Sequence, residues 1–455
     1  MLITPQSPQK VVAVETSVVD LLYPTQHDDA GLKHLFISQL PDLAKQVEFE
    51  GIEAAPRKGD MVMVSAEALD EMLVAFCDKV SNEGVSSFAS IKDEQDAQKK
   101  AEGVRRVLFG EPTMHAGGSL ANSFDAMVYS QISGVATYDG KFVCMTGADE
   151  TGRFFIDSFS GHIASKSSGR QMVSHIIPVD GDRIMLTAPS FADSPDSNFD
   201  TGRFSKTLNE EKPDLIMVGG YLQFAKPGTL TDVIEIAEEY RRSVQKTPTL
   251  AFTLASQIIA DALDLDTFDK NNGPLVIHGN TGEFRRFMGM DNDWREPFEH
   301  YFRTGKDAEL QGRELELVKT QLYTYQDAKQ RANEEASIAA FEMAQERDVS
   351  FVITNSTRPA FVVSSDGIFK RPTPPLGQGR KVRNTVGAGD NFVGGFWVGQ
   401  QVMDSVLGSI AMGQMFSKAV VVQDEARLKR DATDVSVEEC NSRLTGPLAH
   451  ASGMS

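Results

Sequence analysis

The run Asn384-Thr385-Val386-Gly387-Ala388-Gly389-Asp390, continued by Asn391-Phe392-Val393-Gly394-Gly395-Phe396, holds the most chemistry in this 455-residue chain. Gly387-Ala388-Gly389 lets the backbone turn tightly with no bulk in the way, so that its N–H groups point outward at the start of a helix. Such a nest, on the positive end of a helix dipole, binds anions and can stabilise charge on a transferring phosphoryl group. Asp390 falls in the first turn, beside that anion hole, where a carboxylate can accept the proton of an attacking hydroxyl. Gly394 and Gly395 allow close packing behind the site.

Four further spacings carry chemistry, each beside a structural alternative. Asp20 closes the apolar stretch Val11–Leu22 and is either a functional carboxylate or a strand-end cap. Gly117-Gly118-Ser119, with Asn122 three residues on, is a binding turn or a plain one. Gly147, Asp149 and Gly152 form a GxDxxG turn in which Asp149 reads as structural. Asn280-Thr281-Gly282-Glu283 presents an amide and a carboxylate that are either functional or a capping pair.

The elements that must position these residues alternate. Val11–Leu22, Lys141–Gly147, Arg183–Ala188, Leu215–Gly219, Thr249–Leu254, Pro274–His278, Phe351–Thr354 and Ala360–Val363 read as strands. Asp42–Phe49, Ala66–Lys79, Thr229–Gln245, Ser256–Leu263, Gly387–Met403 and Ser405–Gln423 read as helices, with another beginning at Glu283–Met288. Such alternation predicts a mainly parallel sheet with helices on both faces. The polar stretch 292–347 breaks the rhythm and reads as a helical insertion, and the small, polar tail 444–455 reads as frayed.

Composition narrows the function classes. A net charge of −19 opposes general nucleic-acid binding, which needs a basic face. Three separated cysteines, Cys77, Cys144 and Cys440, form no CxxC pair, so neither a disulfide framework nor a zinc knuckle is expected and a reducing cytoplasm fits. Glu15 and Asp20 interrupt the one apolar stretch near the amino terminus, so no signal peptide is expected there. No window approaches the length of a membrane span.

Taken in order along the chain, these motifs resemble those of the ribokinase-like (PfkB) kinase superfamily, whose carboxy-terminal signature is DTxGAGD. The resemblance covers roughly Val11 to Val422, poorly over 26–103 and 292–347, and is nearest in motifs to adenosine kinase and inosine–guanosine kinase. It implies a three-layer α/β/α sandwich with a small β-lid from segments within 24–115 and 156–187. It implies ATP as donor, Asp390 as base, and the amides of Gly387, Ala388, Gly389 and Asp390 as anion hole. Asp20, Gly117, Gly118 and Asn122 would hold the acceptor. Asn280 and Glu283 would organise Mg2+, and Thr354, Asn355 and Thr385 would approach the nucleotide. Arg183 would be a surface residue or a phosphate ligand.

Two departures stand out. Asn384 replaces the usual Asp, which bears on monovalent-cation (K+) dependence. Asn355-Ser356-Thr357-Arg358-Pro359 replaces a Gly-rich turn. The acceptor implied is a purine nucleoside. The double glycine, Asn384 and the run Gly219-Gly220-Tyr221-Leu222 favour it, with Phe36, Phe88, Phe124 and Phe191 as base-stacking candidates by type. The alternatives are a sugar kinase acting on ribose, fructose or a related sugar, and an inactive nucleotide-binding member. The expected partners are therefore small molecules, and a second copy of the chain is a further candidate.

Overall fold

The computed structural model describes residues 9–290 and 331–423, apart from 25–29, 51, 53–54, 57–60, 84, 89, 133–134, 137, 160–161, 168, 180–181, 189–198, 226–227, 270–271, 357, 377–379, 381, 383–384 and 404. Asn384, Phe191, Cys440, the tail 444–455 and most of the stretch 292–347 lie outside the described residues; of that stretch, 331–346 is helical.

The expected strand Val11–Leu22 divides at Ser17 into β1 (Gln9–Thr16) and β2 (Val18–Leu22). The two halves enter different sheets. Ser17 makes the break: its Oγ donates to the Met145 carbonyl at 2.6 Å, and Gln171 Nε2 donates to its backbone carbonyl at 2.7 Å. The groups freed from one ladder are thereby satisfied before the next begins.

Among the described residues the large sheet contains nine strands. Besides β1 these are β5 (Tyr138–Thr146), β6 (Ile163–Ser167), β9 (Leu215–Gly219), β10 (Thr249–Thr253), β11 (Leu275–Asn280), β12 (Val349–Thr354), β13 (Ala360–Ser364) and β14 (Gly367–Arg371), in the order β14-β13-β12-β11-β10-β9-β1-β5-β6. Strands β6 through β12 in that order are parallel, and β13 and β14 close one edge antiparallel. Period-two alternation divides β1 between two cores: Val11 and Ala13 face one, Val12 and Val14 the other. A strand buried on both faces reads as continuously apolar, which is why Val11–Val14 gives no alternating signal.

The first core holds α4 (Ser119–Ile132) and α5 (Glu150–Ser158) together with the last two helices, Ala388–Val402 and Val406–Val421. The second holds α6 (Thr201–Glu211), α7 (Thr229–Ser243), α8 (Gln257–Ala262), α9 (Thr281–Phe287) and α10, helical over 331–346. The two last helices are accordingly α11 and α12. The ribokinase-like α/β/α sandwich expected from the motifs is the fold observed.

A second sheet runs β3-β8-β7-β2-β4, adding β3 (Met61–Met63), β4 (Thr113–Gly117), β7 (Met172–Val179) and β8 (Asp182–Ala188) to β2. Among its described residues the region 24–115 contributes β3 and β4 to it and is otherwise chiefly helical. Helices α1 (Ala30–Gln46), α2 (Ala66–Asn82) and α3 (Ala97–Phe109) form a third core with Ile177, Ile184 and Leu186 of the sheet. The polar, charged region Lys92–Gly103 leads into α3, because Asp96 caps that helix at Lys99 N and Ala101 and Val104 reach this core. With one face covered by helices, the sheet turns Asp20, Ser174 and Thr187 toward a cleft of about 1910 Å³.

Candidate active site

The glycines before Asp390 do what their sequence demands. Gly387 has φ +72° and stands immediately before α11, so the chain enters the helix through a left-handed residue that a side chain would strain. Asp390 is in the first turn of α11 and lines the cleft with Gly387, Ala388 and Gly389.

Its carboxylate is fixed from α4. Ser119 Oγ donates to Oδ1 at 2.9 Å and Asn122 Nδ2 to Oδ2 at 3.0 Å, while Ser123 Oγ donates to the Asp390 backbone carbonyl at 2.8 Å. These three residues lie on one helix face at i, i+3 and i+4. Burial raises the proton affinity of Asp390 above the usual Asp range, and the bonds from Asn122 and Ser119 and the charge of Arg183 oppose that rise.

Beneath the Gly117-Gly118 turn lies Glu15, which no motif identifies. It is wholly buried at the end of β1, and its Oε2 accepts from Leu120 N at 2.8 Å. Gly219 gives it room, since a Cβ there would overlap the carboxyl. Burial, reinforced by the charge of Asp390, pushes its proton affinity well up. The available signal was a single acidic residue interrupting a β-branched strand.

Asp20 is carried on β2, opposite His115 of β4. Its carboxylate occupies the place a side chain at Gly117 would fill, so the first glycine of the pair is required by close approach. Gly118 has φ +100° and turns the chain into α4. Asp20, Gly118, Ser119 and Asn122 all line the cleft, whereas Gly117 lies behind it.

Asn280 caps α9. Its side chain accepts from Glu283 N at 3.1 Å, and Glu283 Oε2 accepts from Asn280 N at 2.8 Å, a complete capping box. Both residues also line the cleft, so the cap and a ligand-facing position coexist. Burial, followed by the charge of Asp390, lifts the Glu283 carboxyl to about 7, against an opposing bond from Asn280. Among the described residues no three His, Cys, Asp or Glu side chains gather as an all-protein metal cage.

Thr354, Asn355 and Thr385 line the same cleft. Arg183, read from sequence as more at home on the surface, is partly buried there, and its Nη1 donates to Thr385 Oγ1 at 2.9 Å. The second sheet thus touches the glycine loop directly, and Ile176 of β7 packs with Val386. Asp149 is structural as expected: it accepts from Gly152 N at 2.8 Å and from Gln171 N at 2.9 Å.

Of the aromatic candidates, Phe191 lies outside the described residues and the other three do not line the cleft. Phe36 and Phe88 belong to the third core and Phe124 to the first. The apolar wall at the Asp20 end comes instead from Leu35, Ile37, Met61, Val62, Ile176 and Tyr221. Burial, and then the charges of Asp390, Glu15, Asp20 and Glu283, raise the Tyr221 phenol well above its ordinary range, so it stays a neutral hydroxyl.

Comparisons with known proteins agree with this geometry. Residues 313–432 match the family described as pfkB family carbohydrate kinase. Among solved structures, the chain is similar to a probable sugar kinase protein from Rhizobium etli CFN 42, at 14% identity and TM-score 0.53, covering 96% of this chain and 99% of that one. It is similar to the adenosine kinase from Sinorhizobium meliloti, at 15% identity and TM-score 0.53, covering 92% and 96%. It is similar too to the adenosine kinase from Schistosoma mansoni in complex with 2-fluoroadenosine, at 12% identity and TM-score 0.54, covering 93% and 98%. No curated protein matches the chain. The fold is that of the ribokinase-like superfamily. The pfkB match takes in the run Gly387–Asp390 and with it the glycine-entered start of α11.

Proposed function

We propose that the protein transfers the γ-phosphoryl group of ATP to a hydroxyl of a purine nucleoside. The observation that carries this reading is the Asp390 carboxylate, held on both oxygens by α4 at the start of a glycine-entered helix, in the cleft that Asp20 also faces.

The steps follow from the geometry. Asp20 and Asn122 hold the acceptor, and its reacting hydroxyl gives its proton to Asp390 as the oxygen attacks phosphorus. The new O–P bond forms while the bond from phosphorus to the bridging β–γ oxygen breaks, releasing ADP. The amides of Gly387 to Asp390 take up charge on the phosphoryl oxygens as it develops. Arg183 and Thr385 stand beside them.

The donor set fits magnesium. Burial and the charge of Asp390 raise the cost of ionising Glu283, and a hard cation with retained waters relieves it without an all-protein cage. When bound, the ion supplies neutralisation of the phosphate charge; Glu283 and Asn280 are the residues to hold it. Asn384, the residue bearing on K+, lies outside the described residues.

A nucleoside is favoured over a free sugar by the apolar wall at the Asp20 end. A base brings a flat face to bury there, while a sugar leaves that wall wet. The adenosine kinases among the structural neighbours support the same choice. A screen of ADP release over adenosine, inosine, guanosine, ribose and fructose tests it. The highest kcat/KM is expected for a purine nucleoside; faster turnover of a sugar would return the protein to sugar kinases, and ATP binding with no ADP from any acceptor would mark an inactive member.

A further inference from the structure

Asn333 belongs to none of the motifs. It stands on α10, one residue after Ala332, whose carbonyl accepts from Arg285 Nη1 at 3.2 Å, and one before Glu334, 3.9 Å from Lys370 Nζ on β14. These contacts put it beside α9 and over the β12–β14 edge of the large sheet. It is 2% exposed and lines the cleft, yet neither its Nδ2 nor its Oδ1 has a hydrogen-bond partner. Asn355, the residue after β12, is also buried in the cleft wall with its Nδ2 unpartnered. Buried side-chain amides are nearly always paired, and a site that leaves two unpaired in one cleft is built for a ligand that pairs them.

The place of these amides says which part of the ligand they meet. Asp390 is bonded to the first turn of α4, which Glu15 ties to the end of β1. Asn355 leaves the end of β12. Glu283, which follows β11, feels the charge of Asp390, and Thr354 at the end of β12 pairs with Asn280, so Asn355 lies one strand beyond Glu283 on the side away from β1. A nucleoside triphosphate with its terminal phosphoryl at Asp390 therefore reaches the asparagines with its nucleoside end. An amide offers one donor and one acceptor side by side. The N7 edge of adenine offers an acceptor beside the amino donor, in matching order, whereas the N7 edge of guanine offers two acceptors and satisfies only half of the amide.

We propose that Asn333 reads the N7 edge of the donor's adenine, with Asn355 as the second amide on that half of the nucleotide. The inference rests on the ATP-donor reading above. Calorimetric titration of the full chain with ATP, GTP and tripolyphosphate, in magnesium buffer, tests it on wild type, Asn333→Ala and the isosteric Asn333→Asp. Wild type should prefer ATP to GTP. Asn333→Ala should weaken ATP roughly 5–100-fold, the range for a lost pairing to a buried amide, and leave GTP and tripolyphosphate within about twofold. The melting temperature of the ligand-free variant should hold or rise, because an unpaired buried amide has been removed. Asn333→Asp, which keeps its shape but loses the donor, should also lose the preference for ATP. An unchanged ATP affinity, equal weakening of ATP and GTP, or a lowered melting temperature with the ATP-to-GTP ratio intact would each overturn the proposal. Wild-type binding of tripolyphosphate but not of ATP would overturn it too, and with it the choice of ATP as donor. Tight ATP binding by wild type with no effect of either substitution defeats this inference alone.

Discussion

Asn122 Nδ2 donates to Asp390 Oδ2 at 3.0 Å, joining two residues 268 positions apart in the chain. With the parallel bond from Ser119, it leaves the Asp390 carboxylate a single orientation, presented to the cleft from the first turn of α11. A general base needs this restraint, because its contribution depends on being aligned before the hydroxyl arrives.

Asp390→Asn keeps both side-chain oxygen and shape but cannot accept the proton. Turnover should fall roughly 10²–10⁴-fold, with nucleotide binding retained. Single-turnover phosphorylation alongside equilibrium ATP titration checks this, and turnover within a few-fold of wild type would remove Asp390 from the base role.

The acid limb of the pH–rate profile should report Asp390. Its proton affinity is raised by burial, so activity should decline, as pH falls, at a higher pH than an ordinary Asp would give. Hydrogen bonds to the ionised form lower that affinity. Ser119→Ala or Asn122→Ala should therefore move the limb to higher pH. A limb that stays in place in both variants would show that these bonds do not govern the base.

Glu283 should make stability depend on pH. Its folded-state value of about 7 lies above the 4.5 ordinary for Glu. The stabilising contribution is full below 4.5 and is lost as pH rises through 7. Glu283→Gln keeps an oxygen for Asn280 N and removes the ionisation, so its melting temperature should fall less than that of wild type between pH 5 and 8. The magnesium concentration for half-maximal activity should rise. Thermal melts and a magnesium titration read the two effects separately.

Gly117→Ala should injure the acceptor side alone. The new Cβ would overlap the Asp20 carboxylate, which must move. A displacement worth about 1–2 kcal/mol gives a loss of roughly 5–30-fold in kcat/KM for the acceptor, with ATP affinity unchanged. Equal loss of both affinities would show that the turn fails as a whole.

Much of this protein was legible in its residues because the chemistry is local. Gly387-Ala388-Gly389-Asp390 specifies a helix entered through a left-handed residue with a carboxylate in its first turn, and Asn280 and Glu283 specify a cap. Both follow from backbone sterics and hydrogen bonds within four residues. The apolar runs of β1, β9 and β10 likewise announced strands buried on both faces. Other features depended on partners remote in sequence. Ser17 divides one apolar run between two sheets because Met145 and Gln171 meet it there. Phe36 and Phe124 are core and Tyr221 is cleft wall, although residue type allowed the reverse. Arg183 came in from its expected surface position to Thr385, 202 residues away in the chain. Glu15 and Asn333 carry no motif, and only the packing of β9, α4, α9 and β14 around them makes one a buried acid beneath the site and the other an unpaired amide within it. Local sterics determine which turn a short sequence takes; what a side chain touches, and so what it can do, is settled only when distant strands close the cleft around it.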